Sequence, residues 1–93
     1  MAFESEKIMF EIYQDGQYNK KFRVVYYTEL NEHNKHTEIN RALAGNHYYD
    51  GFIKDYKKEE AKQIIESIVN ELNEGAEIKP EDIKNKLKDY IPQ

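Results

Sequence analysis

The sequence predicts an α+β fold: an N-terminal antiparallel β-hairpin, extensible to a three-stranded sheet, packed by a long amphipathic helix, with a short helix before it and a C-terminal helix after it. Apolar residues alternate with a period of two between residues 7 and 30 and recur with the 3.6 period of a helix between residues 55 and 91. Strands grouped ahead of helices supply no alternating βαβ units for a parallel sheet. The 93 residues are expected to form one domain, 1–93. A domain of this size buries roughly 60 to 65% of its unfolded surface, so its core is thin.

In the first strand, Lys7 to Tyr13, the side chains of Ile8, Phe10 and Ile12 share one face, and Lys7, Met9, Glu11 and Tyr13 share the other. The second strand, Lys21 to Tyr27, puts Phe22, Val24 and Tyr26 on one side. Matching the apolar faces sets Phe10 opposite Phe22 and Ile8 opposite Val24, and places Glu11 opposite Lys21 as a cross-strand ion pair. A two-residue Asp15-Gly16 turn would instead oppose Phe10 to Lys21. The matched register therefore requires a loop of three or five residues around Asp15, Gly16 and Gln17.

Residues 37 to 44 read as a short helix capped by Asn34 or Thr37 and stopped by Gly45, with Ile39, Ala42 and Leu43 as its buried stripe. Residues 47 to 53 read as a short third strand or an irregular aromatic loop, because Asp50-Gly51 interrupts the run; the strand is preferred, with no place in the sheet assigned to it. Beside the second strand it would give the order 1-2-3 and leave the first strand as an open edge. The main helix runs from Tyr56 to about Asn73, with Asp55 as N-cap and Gly75 at C′. Its stripe, Ala61, Ile64, Ile65, Ile68, Val69 and Leu72, should lie across the inner face of the hairpin. Pro80 suits the first position of a last helix, Ile78 can staple onto Ile83, and Ile83, Leu87, Tyr90 and Ile91 form its apolar side up to Pro92.

The bulk composition narrows the function classes. There is no cysteine, hence no disulfide framework, thiol catalysis or Cys-ligated metal site. The first residues lack a basic and an apolar leader segment, and no stretch approaches the roughly 20 apolar residues of a membrane span, so a cytoplasmic, soluble protein is expected. A net charge of -4 opposes bulk attachment to nucleic acid. No motif calls for a cofactor.

Four constellations stand out. The outer hairpin face carries Met9, Tyr13, Val25 and Tyr27, unusual for a solvated sheet. It is either covered by loops or by the short helix, or it is a surface for a partner or a second copy of the chain, since tyrosine is enriched at interface centres. His33, His36, Glu38, Arg41 and His47, with Glu29 and Glu32, form the densest polar cluster. Read as chemistry, it supplies a metal site or an acid, a base and a phosphate-steadying cation; read plainly, it is a set of solvated loop residues. Lys54, Lys57, Lys58 and Lys62 surround the start of the main helix, where helix N–H groups and ammonium groups can converge on an anion. With Tyr48, Tyr49 and Tyr56 nearby, they are the local candidate for nucleic acid; the plain reading is a solvated lysine face. Glu66, Glu71, Glu74, Glu77, Glu81 and Asp82 cluster near the junction of the last two helices, as a solubilising face or a surface for a basic protein.

The function these features favour is a non-enzymatic protein-interaction module, partnered by another protein or by itself through the tyrosine-rich outer face. Within that class, the small, acidic, Lys/Asn/Ile-rich composition suits a phage or mobile-element inhibitor of a host protein. The alternatives are a small nuclease or metal-binding protein using the histidine cluster, and nucleic-acid binding through the lysine patch.

Overall fold

Strand β1 (Lys7–Gln14) carries Ile8, Phe10 and Ile12 with 3% or less of their surface exposed, and it has a neighbour at each edge. The computed structural model describes residues 7–15 and 21–92. On one side of β1 runs β2 (Phe22–Tyr26) and on the other β3 (Asn46–Lys54), both antiparallel, in the order β2-β1-β3. Among the described residues the sheet has these three strands, and with them are α1 (Lys35–Ala44), α2 (Lys58–Asn73) and α3 (Pro80–Lys86). The α+β class read from the sequence is the class of the structure.

The third strand exists and is longer than expected. Asp50-Gly51 does not interrupt it: Gly51 lies opposite Phe10 in the ladder, and a Cβ there would touch the rings of Tyr49 and Phe10 at 3.6 to 3.7 Å. Because β3 pairs with β1, the open edges belong to β2 and β3 and not to the first strand. The register shifts between Ile12 and Tyr13, which pair with Tyr49 and His47, so Tyr48 is the extra residue of a bulge. Strict alternation would send Tyr48 and Tyr49 to opposite faces; both pack on the inner core, Tyr48 edge-on to Phe22 and Tyr49 beside Phe10.

The hairpin register differs from the expected one. Phe10 faces Tyr26, Ile12 faces Val24 and Gln14 faces Phe22, so Glu11 lies opposite Val25 and not Lys21. The apolar faces still match, because a period-two pattern is unchanged by an even shift. The observed register is accompanied by contacts within the hairpin, Arg23 with Asp15 at 3.3 Å and Tyr27 with Glu11 at 2.6 Å, and by one from outside it. At the β2 edge Phe22 N–H donates to Asn73 Oδ1 at 2.7 Å and Asn73 Nδ2 donates to the Phe22 carbonyl at 3.0 Å. The side-chain amide at the end of α2 thus stands where a fourth strand would bond. The expected turn at Gly16 and Gln17 lies outside the described residues; Asp15 N–H donates to the Lys21 carbonyl at 2.8 Å.

The inner layer is built by α2, which buries Ala61, Ile65, Ile68, Val69 and Leu72 against the sheet and leaves Ile64 half-buried. It begins at Lys58, since Asp55–Lys57 form a separate 3-10 turn, and is followed by Gly75 at φ 98, the left-handed conformation that favours glycine. Pro80 starts α3, the Asp82 carboxylate accepts from Lys79 N–H at 3.1 Å, and Ile78 and Ile83 are both buried around that cap. The helix stops at Lys86, short of Ile91, and the turn beyond it brings the Tyr90 carbonyl to Lys54 N–H at 2.8 Å, closing one end of the β3 edge.

On the outer face α1 covers Tyr13 and Val25 with Ala42, helped by Tyr27 and Leu30. Asn34 is at its N-cap position without a side-chain cap bond; the oxygen serving this corner is Asn31 Oδ1, which accepts from the N–H groups of His33 and Asn34. Gly45 has an ordinary extended backbone, φ -88. It is needed for proximity, since a Cβ there would lie 2.4 Å from the Gln14 carbonyl oxygen. Leu43, expected in the buried stripe, is 77% exposed, because α1 rests on the sheet through Ala42 and a larger residue one position on points away.

Replacing Ile65, fully buried against the sheet, by alanine is expected to cost about 2 to 5 kcal/mol in urea unfolding, and Leu43→Ala to stay within about 0.5 kcal/mol. A large loss at Leu43 would contradict its exposed position.

Candidate functional site

Among the described residues, the strongest candidate site is a groove of about 520 Å³ between α2 and the end of α3 with the turn that follows it. One wall is a continuous stripe of α2: Glu60, Gln63, Ile64, Ser67, Ile68 and Glu71. These residues are spaced three and four apart, so they share one side of the helix. Lys86 and Tyr90 form the other wall. The floor is apolar, from Ile64, Ile68 and the Tyr90 ring, and the rim is polar. A smaller pocket of about 240 Å³ lies by β2 and the corner before α1, lined by Val24, Tyr26, Leu30 and Glu38 among others. It falls below the roughly 300 to 1,000 Å³ of sites that enclose a ligand, whereas the α2 groove falls within that range.

One end of the outer hairpin face is closed within the chain. Tyr13 is 0% and Val25 2% exposed beneath α1, so neither meets a partner in this fold; Met9 and Tyr27 are half-buried. Of the two readings of this face, cover by the short helix holds for Tyr13 and Val25, and Met9 and Tyr27 lie outside that cover's fully buried part. The physical cause is Gly45, which lets α1 approach β1 closely enough to seal that end of the face.

The lysine patch is also divided. Lys58 and Lys62 both bind Glu29, at 3.3 and 2.5 Å, and Lys62 lies over the Tyr26 ring at 4.8 Å. Lys57 sits above Tyr90 and Tyr56, at 5.6 and 6.0 Å from the ring centroids, and Lys54 is half-buried in β3. Lys58 and Lys62 therefore point to Glu29 and do not converge with Lys54 and Lys57 on one anion. The hydrogen bond from Lys62, opposed by burial and reinforced by Lys58, holds the Glu29 carboxyl below its usual range, and Glu29 in turn raises the Lys58 ammonium.

The polar cluster is not assembled into one centre. Glu38 accepts from Tyr13 and pairs with Arg41 at 3.6 Å, while His47 meets Glu11 at 3.1 Å; His33 and His36 are exposed at the start of α1. Among the described residues no group of three His, Cys, Asp or Glu side chains is placed to hold a metal ion. Of the acidic run, Glu66, Glu71, Glu74, Glu77, Glu81 and Asp82 are all exposed, and Glu71 alone lines the groove.

Three tyrosines donate to carboxylates: Tyr13 to Glu38 at 3.3 Å, Tyr26 to Glu66 at 3.3 Å and Tyr27 to Glu11 at 2.6 Å. Burial first, then the Glu38 charge and hydrogen bond, push the Tyr13 phenol up to about 12. Burial, then the bond to Glu11, does the same for Tyr27, also to about 12. Tyr26 is raised further, by burial and then by Glu66. Burial and Asp50 raise Tyr49.

No protein family, curated protein or solved structure matches the chain. Geometry alone therefore defines the site. Sequence reasoning placed Ile64 and Ile68 in the core, Tyr90 on the last helix and Glu71 in an acidic run, and it missed Glu60, Gln63, Ser67 and Lys86 as members of one surface. The available signal was Ile64, which lies at the edge of the apolar stripe and widens it beyond what one sheet face covers.

The tyrosine pairs make stability depend on alkaline pH. The folded chain holds phenolic protons that the unfolded chain releases above the ordinary value of 10.0, so this contribution is complete below pH 10 and is lost as pH rises through about 12. In urea unfolding at pH 9 to 12, stability is expected to fall by up to about 1.4 kcal/mol per pH unit for each such tyrosine. Tyr26→Phe is expected to make that fall shallower; an unchanged slope would remove Tyr26 from the linkage.

Proposed function

We propose that the chain is a non-enzymatic protein-interaction module that holds a partner segment in the groove between α2 and the end of α3 with the turn that follows it. The observation that carries this reading is the apolar floor of Ile64, Ile68 and Tyr90, open to the outside and framed by Gln63, Ser67 and three charged side chains. An apolar centre with a polar rim is the composition of interaction surfaces, and tyrosine is among the residues that dominate binding when water is excluded around them. Residues central to the competing surfaces are engaged within the chain: Tyr13 and Val25 lie under α1, Lys58 and Lys62 on Glu29, and Glu38 and His47 in pairs of their own. An inhibitor that occupies a surface of a host protein is the specific role that this groove and the small acidic chain support.

The test places a photocrosslinking residue at exposed Gln63 and, separately, at exposed Thr37 on α1. The expected result is a discrete adduct from position 63 in cells of the source organism, none from position 37, and loss of the adduct when Ser67→Trp fills the groove while circular dichroism is unchanged. Adducts that form equally at both positions or survive Ser67→Trp would overturn the reading.

A further inference from the structure

We infer that the occupant of the groove is an amphipathic helix of another protein, with an apolar stripe and with lysine or arginine along the flank that meets α2; this rests on the docking reading above. The α2 wall runs from Glu60 to Glu71, about 16 Å at the helical rise, which is three turns of a helix laid alongside. Side chains line this wall, because the backbone of α2 is bonded within its own helix. An extended segment in the groove would find no row of N–H and C=O groups to pair with, whereas a helix brings its hydrogen bonds with it.

Charge selects the flank. Glu60 and Glu71 stand on the α2 wall, both exposed. The lysines of α2, Lys58 and Lys62, are held by Glu29 on the side toward β2, so they do not offset these carboxylates. On the opposite wall stands Lys86, which meets the other flank of the guest, and Lys57 lies over the Tyr90 ring. A second copy presenting the same stripe is disfavoured. Antiparallel pairing about the middle of the stripe sets Glu60 of one copy against Glu71 of the other, and like charges in register oppose association. A phosphate backbone meets the same acidic wall.

The probe is a synthetic helical peptide of about 16 residues with leucine at i, i+3, i+7 and i+11 and lysine on one flank of that stripe. Its twin carries glutamate in place of each lysine. In titrations monitored by amide chemical shifts, the lysine peptide is expected to perturb Ile64, Ser67, Ile68 and Tyr90, and to weaken several-fold between about 50 and 300 mM salt. The twin is expected to bind at least about tenfold more weakly, and Glu60→Lys with Glu71→Lys, both at exposed positions, to reverse the preference without a change in Tm. Equal binding of the twin in the groove would overturn the cationic partner and leave the docking reading standing. Failure of both peptides together with a crosslink from position 63 would overturn the helical partner alone, and failure of both with no crosslink would overturn both readings.

Discussion

Burial of β1 on both faces is the constraint to which the remaining elements respond. Its inner row, Ile8, Phe10 and Ile12, and its outer Tyr13 are all removed from solvent, so a layer is required on each side of the sheet. The long helix α2 supplies the inner layer with α3. The outer layer has only the ten-residue α1 and the corner around Leu30, enough to seal the end at Tyr13 and Val25. Beyond that end the outer face stays partly open, with Phe52 41% exposed under the Lys7 ammonium. Glu11 sits at the boundary between covered and open regions, where Tyr27 and His47 both bond to it. A carboxylate half-withdrawn from water needs such partners, since desolvation of an unpaired charge is costly.

Tyrosine accomplishes in this chain what phenylalanine could not. The rings of Tyr13, Tyr26 and Tyr27 fill apolar space while their hydroxyls reach carboxylates: on α1 from β1, on α2 from β2, and on β1 from the turn after β2. The aromatic surplus that looks like an exposed interface in the sequence is thereby used to tie layers together. The bulge at Tyr48 belongs to the same economy of space, turning two successive rings inward, where the Tyr48 hydroxyl donates to the Ile78 carbonyl ahead of α3.

What could be read from the sequence was local. The α2 stripe, Gly75 after its end, Pro80 at the start of α3 and the Ile78–Ile83 staple each depend on residues within a few positions of one another. The hairpin register was not legible, because Phe22, Val24 and Tyr26 satisfy the apolar match equally well after an even shift. The contacts that accompany the observed register include those of Asn73 and Glu66, 51 and 40 residues away from their partners. The sheet order was hidden for the same reason. Leu43 shows the limit of a helical stripe on a short helix, since one small residue, Ala42, suffices for contact. The groove was hidden because a residue at the edge of a stripe reads as core until the neighbouring helix is in place; Ile64 is covered by the sheet on one side only.

The polarity of the groove then follows from packing. With 3.6 residues per turn, Lys58, Lys62 and Glu66 lie on the flank of α2 that faces β2, while Glu60, Ser67 and Glu71 lie on the far flank, with the buried stripe between. Glu29, at the turn after β2, draws both lysines to its side, and the Tyr26 hydroxyl engages Glu66 there as well. On the near flank the lysines are thus neutralised by Glu29, and Glu60 and Glu71 face outward beside the apolar floor. The ion pairs that fasten the helix to the sheet also keep both lysines away from the groove. The helical period of α2 separates the charges and Glu29 holds the lysines on their own flank, so a chain of modest net charge carries carboxylates beside the apolar floor.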